Sequence, residues 1–142
     1  MNDLGQQVFM ILVAVLVIGM ILFFAINMMR KNKSGLDIKK NQVAWKQIED
    51  SLNGGNKVMY QMAVLSADKL LDQAMRDLNI PGETMGDRLK SANNRFSSVD
   101  DVWSAHKLRN RIAHESDVDL NLVGTKKALS SFKKALKDLG AI

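Results

Sequence analysis

The stretch His106-Lys107-Leu108-Arg109-Asn110-Arg111-Ile112-Ala113-His114-Glu115 holds both histidines of the chain and three closely spaced basic residues. It contains no glycine or proline, and its apolar residues recur at helical spacing, so it reads as the end of an amphipathic helix. Upstream, Ser97-Ser98-Val99-Asp100-Asp101 supplies the start: a serine N-cap followed by acids in the first turn. The predicted helix runs from about Asp100 to about His114.

Advancing about 100° per residue separates two faces of this helix. Leu108, Ile112, Ala105, Val102 and Ala113 share an arc that should face a core. Asn110, Trp103, His114, Lys107 and Arg111 share the opposite face, with His106 at its margin and Arg109 at the edge of the core arc. Arg109 and His114 then diverge by about 140°, so one small site in one protomer does not readily use both. Two copies related by a two-fold axis would bring the different edges together. A tryptophan on a polar face marks a partner surface, tryptophan being a preferred interface anchor. Packing of Trp103 beneath the Phe96 loop is the alternative.

The flanking segments have the same period. Ile38, Trp45, Ile48 and Leu52 mark a first helix of the domain, ended by Gly54-Gly55. Val58, Met62, Leu65, Leu70, Ala74 and Leu78 mark a second, widened by Met59, Leu71 and Met75; the methionines read as core fillers. Asn79-Ile80-Pro81-Gly82 stops it, because Pro81 disfavours helical geometry at Ile80 and Gly82 permits a turn. Thr84 and Asp87 form a capping box for a short third helix with Met85 and Leu89. After a polar turn at residues 117–121, a last helix carries Leu129, Phe132, Leu136 and Leu139 and ends at Gly140. Its Lys126, Lys127, Lys133, Lys134 and Lys137 read as a solvated face. No stretch alternates with period two, so the expected fold is all-α: a four- to five-helix bundle over residues 36–142.

Ahead of this domain the chain changes character. Residues 1–7 are short and polar. Residues 8–29 are almost wholly apolar, about 33 Å of helix at about 1.5 Å per residue, enough for a hydrocarbon core of about 30 Å. A cleaved signal peptide would carry a basic n-region, and here the first seven residues hold Asp3 and no Lys or Arg. A transmembrane helix is therefore expected. Arg30, Lys31, Lys33, Lys39 and Lys40 all follow it, so the positive-inside rule places the N-terminus outside and the large domain in the cytoplasm, at the cell membrane. Asn27 reads as interfacial, and residues 30–35 as a basic linker.

All 20 Lys and Arg, and 14 of the 15 acids, follow residue 29, leaving that part at +6; three of those charges adjoin the apolar segment. The domain is thus only mildly basic, and charge alone argues weakly for nucleic acid. With no cysteine, disulfides, thiolate metal sites and a cysteine nucleophile are excluded. His106 and His114 are eight apart, lacking the spacing of three intervening residues that puts two ligands on one helical face, so no metal and no cofactor are expected.

The stretch resembles the signature of the HEPN superfamily: an Arg, a polar residue, then a His, with four to six residues between Arg and His. Here it reads Arg109-Asn110-Arg111-Ile112-Ala113-His114, with four between. The preceding Trp103-Ser104-Ala105-His106-Lys107-Leu108 and the following Glu115 are similar to bacterial HEPN-like sequences, and residues 67–90 resemble membrane-anchored members. The resemblance covers residues 36–142. It implies a small helical domain that often dimerises, with two facing motifs forming a metal-independent RNA-cleaving site. Carried over by position, His114 would be acid or base, Arg109 the phosphate partner and Asn110 the orienting polar residue. Arg111 could share the phosphate role, and Trp103 and Lys107 would lie on the binding face. The alternative is a non-catalytic, membrane-tethered interaction or regulatory module with a protein partner. In that reading His114 merely favours the negative end of its helix, and Arg109 bridges an acid such as Asp68 or Asp72.

Overall fold

The computed structural model describes residues 3–31 and 35–142, with side chains over 5–25 and 35–142. The side chains of Asn27, Arg30 and Lys31, and residues 32–34 of the linker, lie outside the described part. The chain divides into two units, Met1–Ser34 and Gly35–Ile142.

The first unit is one helix, α1 (Asp3–Lys31). Its Gly5–Ala25 segment has a mean hydropathy of 3.2 and is nowhere buried. Side chains such as Leu16 and Phe24 are exposed. By length and composition this helix can cross a membrane.

The second unit holds five α-helices: α2 (Ile38–Ser51), α3 (Lys57–Asp77), α4 (Met85–Ser91), α5 (Val99–His114) and α6 (Leu122–Asp138). No strand occurs among the described residues. The central element is α3, which packs on α2, α5 and α6. Alanines make that close packing possible: Ala63, Ala67 and Ala74 of α3, with Ala105, Ala128 and Ala135 opposite, are all buried. Phe132, Leu71, Met75, Leu89 and Leu136 fill the space between them.

Local chemistry sets the ends of the elements. Asp37, Asn56 and Asn121 cap α2, α3 and α6 with side-chain oxygens that accept backbone N–H bonds. The expected capping box is present on α4: Thr84 Oγ1 accepts from Asp87 N at 3.1 Å, and Asp87 Oδ2 accepts from Thr84 N at 3.1 Å. Those bonds from Thr84 hold the Asp87 carboxyl below its usual range. Ser98 caps α5 by position, but its hydroxyl donates to Asp101 and not to a backbone group. The second predicted stop works earlier than proline alone would act. Asn79 adopts φ +55°, and Ile80 N reaches back to Met75 O at 2.9 Å, closing α3 with a left-handed C-cap. Gly140 ends α6 in the same way at φ +67°.

Several expected core positions are corrected. Ile38, Val58, Met59 and Met62, at the N-terminal ends of α2 and α3, are exposed. Ala113 is exposed at the end of α5, beyond the core. The segment before α6 is not simply a polar turn, since Val118 and Leu120 are buried between exposed acids. Lys133 departs from the solvated lysine face of α6. Its ammonium sits 2.6 Å from Glu49 Oε1 and 5.8 Å from the centre of the Trp45 ring.

The Lys133–Glu49 pair predicts an acid sensitivity. The hydrogen bond from Lys133 holds the Glu49 carboxyl below its ordinary value of 4.5, against a smaller opposing effect of burial. A carboxyl whose folded pKa is lowered stabilises the fold above its unfolded pKa, and the contribution is lost as pH falls through the folded value. Both side chains are about 40 % exposed (39 % and 45 %), so solvent screening keeps the term under about 1 kcal/mol. Urea midpoints should therefore fall below about pH 4.5, and Glu49→Gln should remove part of that fall. A variant with an unchanged acid limb would contradict the assignment.

Candidate functional site

Three helices of the domain, α3, α4 and α5, enclose a cleft of about 950 Å³. Its floor is a polar cluster that interrupts the apolar face of α3. Asp68 is 3 % exposed, although its α3 neighbours Ala67 and Leu71 belong to the core. Burial of a carboxylate requires partners, and α5 supplies them. His106 Nδ1 lies 2.7 Å from Asp68 Oδ1, and Arg109 Nε lies 3.2 Å from Asp68 Oδ2. The second approach is an ion pair and not a directed hydrogen bond, since the buried Arg109 Nε has no hydrogen-bond partner. Asn110 closes the circuit: its Nδ2 is 3.2 Å from His106 Nε2, and its Oδ1 accepts from Arg109 Nη1 at 3.0 Å.

This four-residue ring has one self-consistent set of donors. A carboxylate only accepts, so His106 donates through Nδ1. In the neutral imidazole Nε2 is then an acceptor, and it takes an N–H from Asn110. That orientation turns the Asn110 carbonyl oxygen toward Arg109, where it accepts. The ring thus fixes the histidine tautomer, the amide orientation and the guanidinium together. Arg109 keeps Nη2 uncommitted among the described residues.

Beside the ring, α3 carries a second acid one turn on. Asp72 Oδ1 accepts from Arg88 Nε at 2.7 Å, and Asp72 Oδ2 accepts from Arg76 Nε at 3.0 Å. Arg88 is 5 % exposed and also donates to Gly82 O at 2.6 Å, which staples the turn before α4 onto α3. Trp103 is half-buried. It lines the cleft, meets the His106 ring edge-on at 6.0 Å, and faces Gly86 of α4. Its packing partners include α4 and His106.

The residues expected to form a site are distributed unevenly. Arg109, Asn110, Trp103 and Lys107 all border the cleft. Arg111 is exposed and pairs weakly with Glu115 at 3.4 Å. His114, the last residue of α5, is exposed and does not line the cleft. The bridge expected between Arg109 and an acid of the second helix is present, to Asp68. His106 is corrected: it is 7 % exposed and lies inside the ring, not at a polar margin. Asp68 and His106 were missed as site residues. The available signals were an acid at a buried position of the α3 stripe and a histidine four residues before Asn110, on the same side of α5. Among the described residues no group of three or more His, Asp or Glu side chains converges as a metal site.

The ring makes a prediction. Asp68→Asn preserves shape, but removes the charge that pairs with Arg109 and accepts from His106 Nδ1. Because Arg109 is 36 % exposed and can rehydrate, the expected loss is about 1.5–3 kcal/mol, the worth of the hydrogen bond from His106 to the charged carboxylate. Denaturant unfolding measures it, and an unchanged midpoint would show that the ring contributes nothing. Comparison with known protein families, curated proteins and solved structures finds no match to this chain, so the site is read from its own geometry.

Proposed function

We propose that this chain is a membrane-anchored, HEPN-like endoribonuclease that acts without metal as a dimer. In this reading α1 spans the cell membrane, the N-terminus lies outside, and the large domain is cytoplasmic. The one-sided basic cluster after α1 supports that orientation. Protease added to intact cells should leave the large domain uncut, and its digestion from outside would reverse the topology.

The observation that carries the catalytic reading is the division of the motif on α5. The ring holds Arg109 and Asn110 at the cleft, while His114 is exposed and has no hydrogen bond or ion pair among the described residues. A two-fold axis would set Arg109 and Asn110 of one protomer against His114 of the other. Cleavage then proceeds by attack of a ribose 2′-oxygen on the adjacent phosphorus, with departure of the 5′-oxygen. One proton leaves the 2′-hydroxyl and one reaches the departing oxygen. Histidine as a residue type suits either transfer near neutral pH. Arg109, with Arg111 near, offsets the charge that gathers on the phosphoryl oxygens.

The test incubates the full chain in lipid nanodiscs with structured and unstructured RNA, with and without chelator, beside His114→Ala. Cleavage that resists chelator and needs His114 is expected. Equal cleavage by both proteins would identify a contaminant. A second reading, the non-catalytic tethered module, is favoured by the commitment of Arg109 and Asn110 to the ring. Absence of cleavage across a broad substrate set would select it.

A further inference from the structure

We propose that the lysine face of α6 docks on the acidic phospholipid headgroups of the membrane that anchors the chain. The inference rests on the reading of α1 as a membrane span. It needs neither cleavage nor a second copy, and no residue lining the cleft lies on α6.

The charge on this helix is one-sided. At about 100° per residue, Lys126, Lys127, Lys134 and Lys137, with Val123 and Ser130, fall within about 100° of one another. All six are exposed, and the buried side chains of α6, such as Phe132 and Leu136, lie opposite. None of these four lysines makes a side-chain hydrogen bond or ion pair among the described residues, unlike Lys133 at the edge of the arc, which pairs with Glu49. No acid of α6 falls inside the arc. Asp138 lies at its margin, where its Oδ2 accepts from Ser97 N and Ser97 Oγ, each at 2.8 Å. Like charges on neighbouring turns of one helix face repel. A surface of opposite sign relieves that repulsion.

What accompanies the charge decides the partner. Val123 is 77 % exposed and stands in the middle of the arc, one turn before Lys126 and Lys127. An apolar side chain among lysines suits a bilayer interface: it enters the boundary of headgroups and acyl chains while the ammonium groups stay with the phosphates. A nucleic-acid strand would call for an aromatic platform, and the aromatic residue of α6, Phe132, is fully buried. The chain also supplies the surface. Residues 32–34 alone separate the end of α1 from Gly35, where the second unit begins. So short a tether makes docking an intramolecular step at high effective concentration. Acidic lipids give the cytoplasmic surface a negative potential, worth about 5-fold in binding for each lysine.

The chain has no cysteine, so Ser130→Cys in the full-length protein provides a single thiol in the arc for a fluorophore. The protein is placed in nanodiscs of phosphatidylcholine, with or without phosphatidylglycerol, each carrying a headgroup quencher. Strong quenching is expected with phosphatidylglycerol and little without it. It should be lost at about 1 M salt, where the screening length falls to about 3 Å. A fluorophore at Gln73→Cys, on the exposed side of α3, should not respond to the lipid. Lys126→Gln/Lys134→Gln should lower the ratio of docked to undocked protein by about 25-fold, and Lys126→Arg/Lys134→Arg should leave it unchanged. Val123→Ser should weaken docking at low and high salt alike, because an apolar contact is not screened. Quenching that ignores phosphatidylglycerol, or that is equal in the Gln and Arg variants, would overturn the inference. So would a response to a 2′-O-methyl RNA strand in place of one to phosphatidylglycerol, which would make the face a nucleic-acid surface. Recovery of the protein in discs of phosphatidylcholine alone reports insertion of α1 separately. Recovery there without lipid-dependent quenching would leave the anchor and overturn the docking. Recovery only in phosphatidylglycerol discs, and only with the lysines intact, would remove the span and leave the docking standing.

Discussion

Replacing Arg88 with methionine is expected to destabilise the domain by about 3–5 kcal/mol, the cost of breaking a buried ion pair from one side. The Arg88 side chain is 6 % exposed and makes two well-formed bonds, to Asp72 Oδ1 and to Gly82 O. Methionine fills similar volume, so the loss isolates the guanidinium and not a cavity. Gly82 O would lose its donor, and the turn before α4 would lose its tie to α3. That turn has no easy second geometry. Gly82 sits at φ +150°, and a Cβ there would meet Arg88 N at 2.6 Å. Asp72 would keep Arg76, whose side chain is 58 % exposed, which places the expected loss near the lower bound. For a domain of this size each kcal/mol shifts Tm by about 4–8 °C. Arg88→Lys should be nearly as damaging, since lysine keeps charge without the fork. Lys46→Ala, which breaks a surface pair with Asp50, should cost less than about 1 kcal/mol. If Arg88→Met and Lys46→Ala unfold alike, Arg88 is not the staple described.

The second large effect lies in activity. His114→Ala should lower RNA cleavage by about 10²–10⁴-fold, the range for one lost proton-transfer group. Stability should hardly change, because surface substitutions of this kind usually stay within about 0.5 kcal/mol. His114 is exposed and makes no hydrogen bond or ion pair among the described residues. Arg109→Lys should behave differently. It keeps one positive charge but cannot reach both Asp68 and Asn110 with a planar fork, so cleavage and stability should fall together. A His114→Ala protein that cleaves at the original rate would remove histidine catalysis from the account. Equal stability losses in both variants would instead contradict the assignment of Arg109 to the ring.

Signals in the sequence are legible where the chemistry is local. Thr84 and Asp87 announce a helix start three residues apart, and the box forms as expected. The turn residues at 79–82 announce a stop, although Asn79 in the left-handed region does the closing. Faces are less legible. An ideal helical wheel assigns an angle to His106 but does not reveal Asp68 on the neighbouring helix, 38 residues away. It likewise places Ala113 in the core arc without knowing that the core ends before it. Asp68 itself was visible as an acid in an apolar stripe. Its meaning depends on which two side chains of α5 come within 3.2 Å, and that is fixed by the packing of α3 on α5. Val118 and Leu120 were obscured because two buried residues among acids lack the length of any regular pattern.

The central claim is that one site is shared between two protomers, and mixing tests it most directly. Full-length Arg109→Lys and His114→Ala proteins, each weak alone, are co-reconstituted in nanodiscs at equal amounts and allowed to exchange. Random pairing makes half of the dimers mixed, each with one intact Arg109–His114 site of two, so about a quarter of the original cleavage rate should return. A mixture that stays as weak as its parts, under conditions where the unmutated protein cleaves, would contradict the shared site.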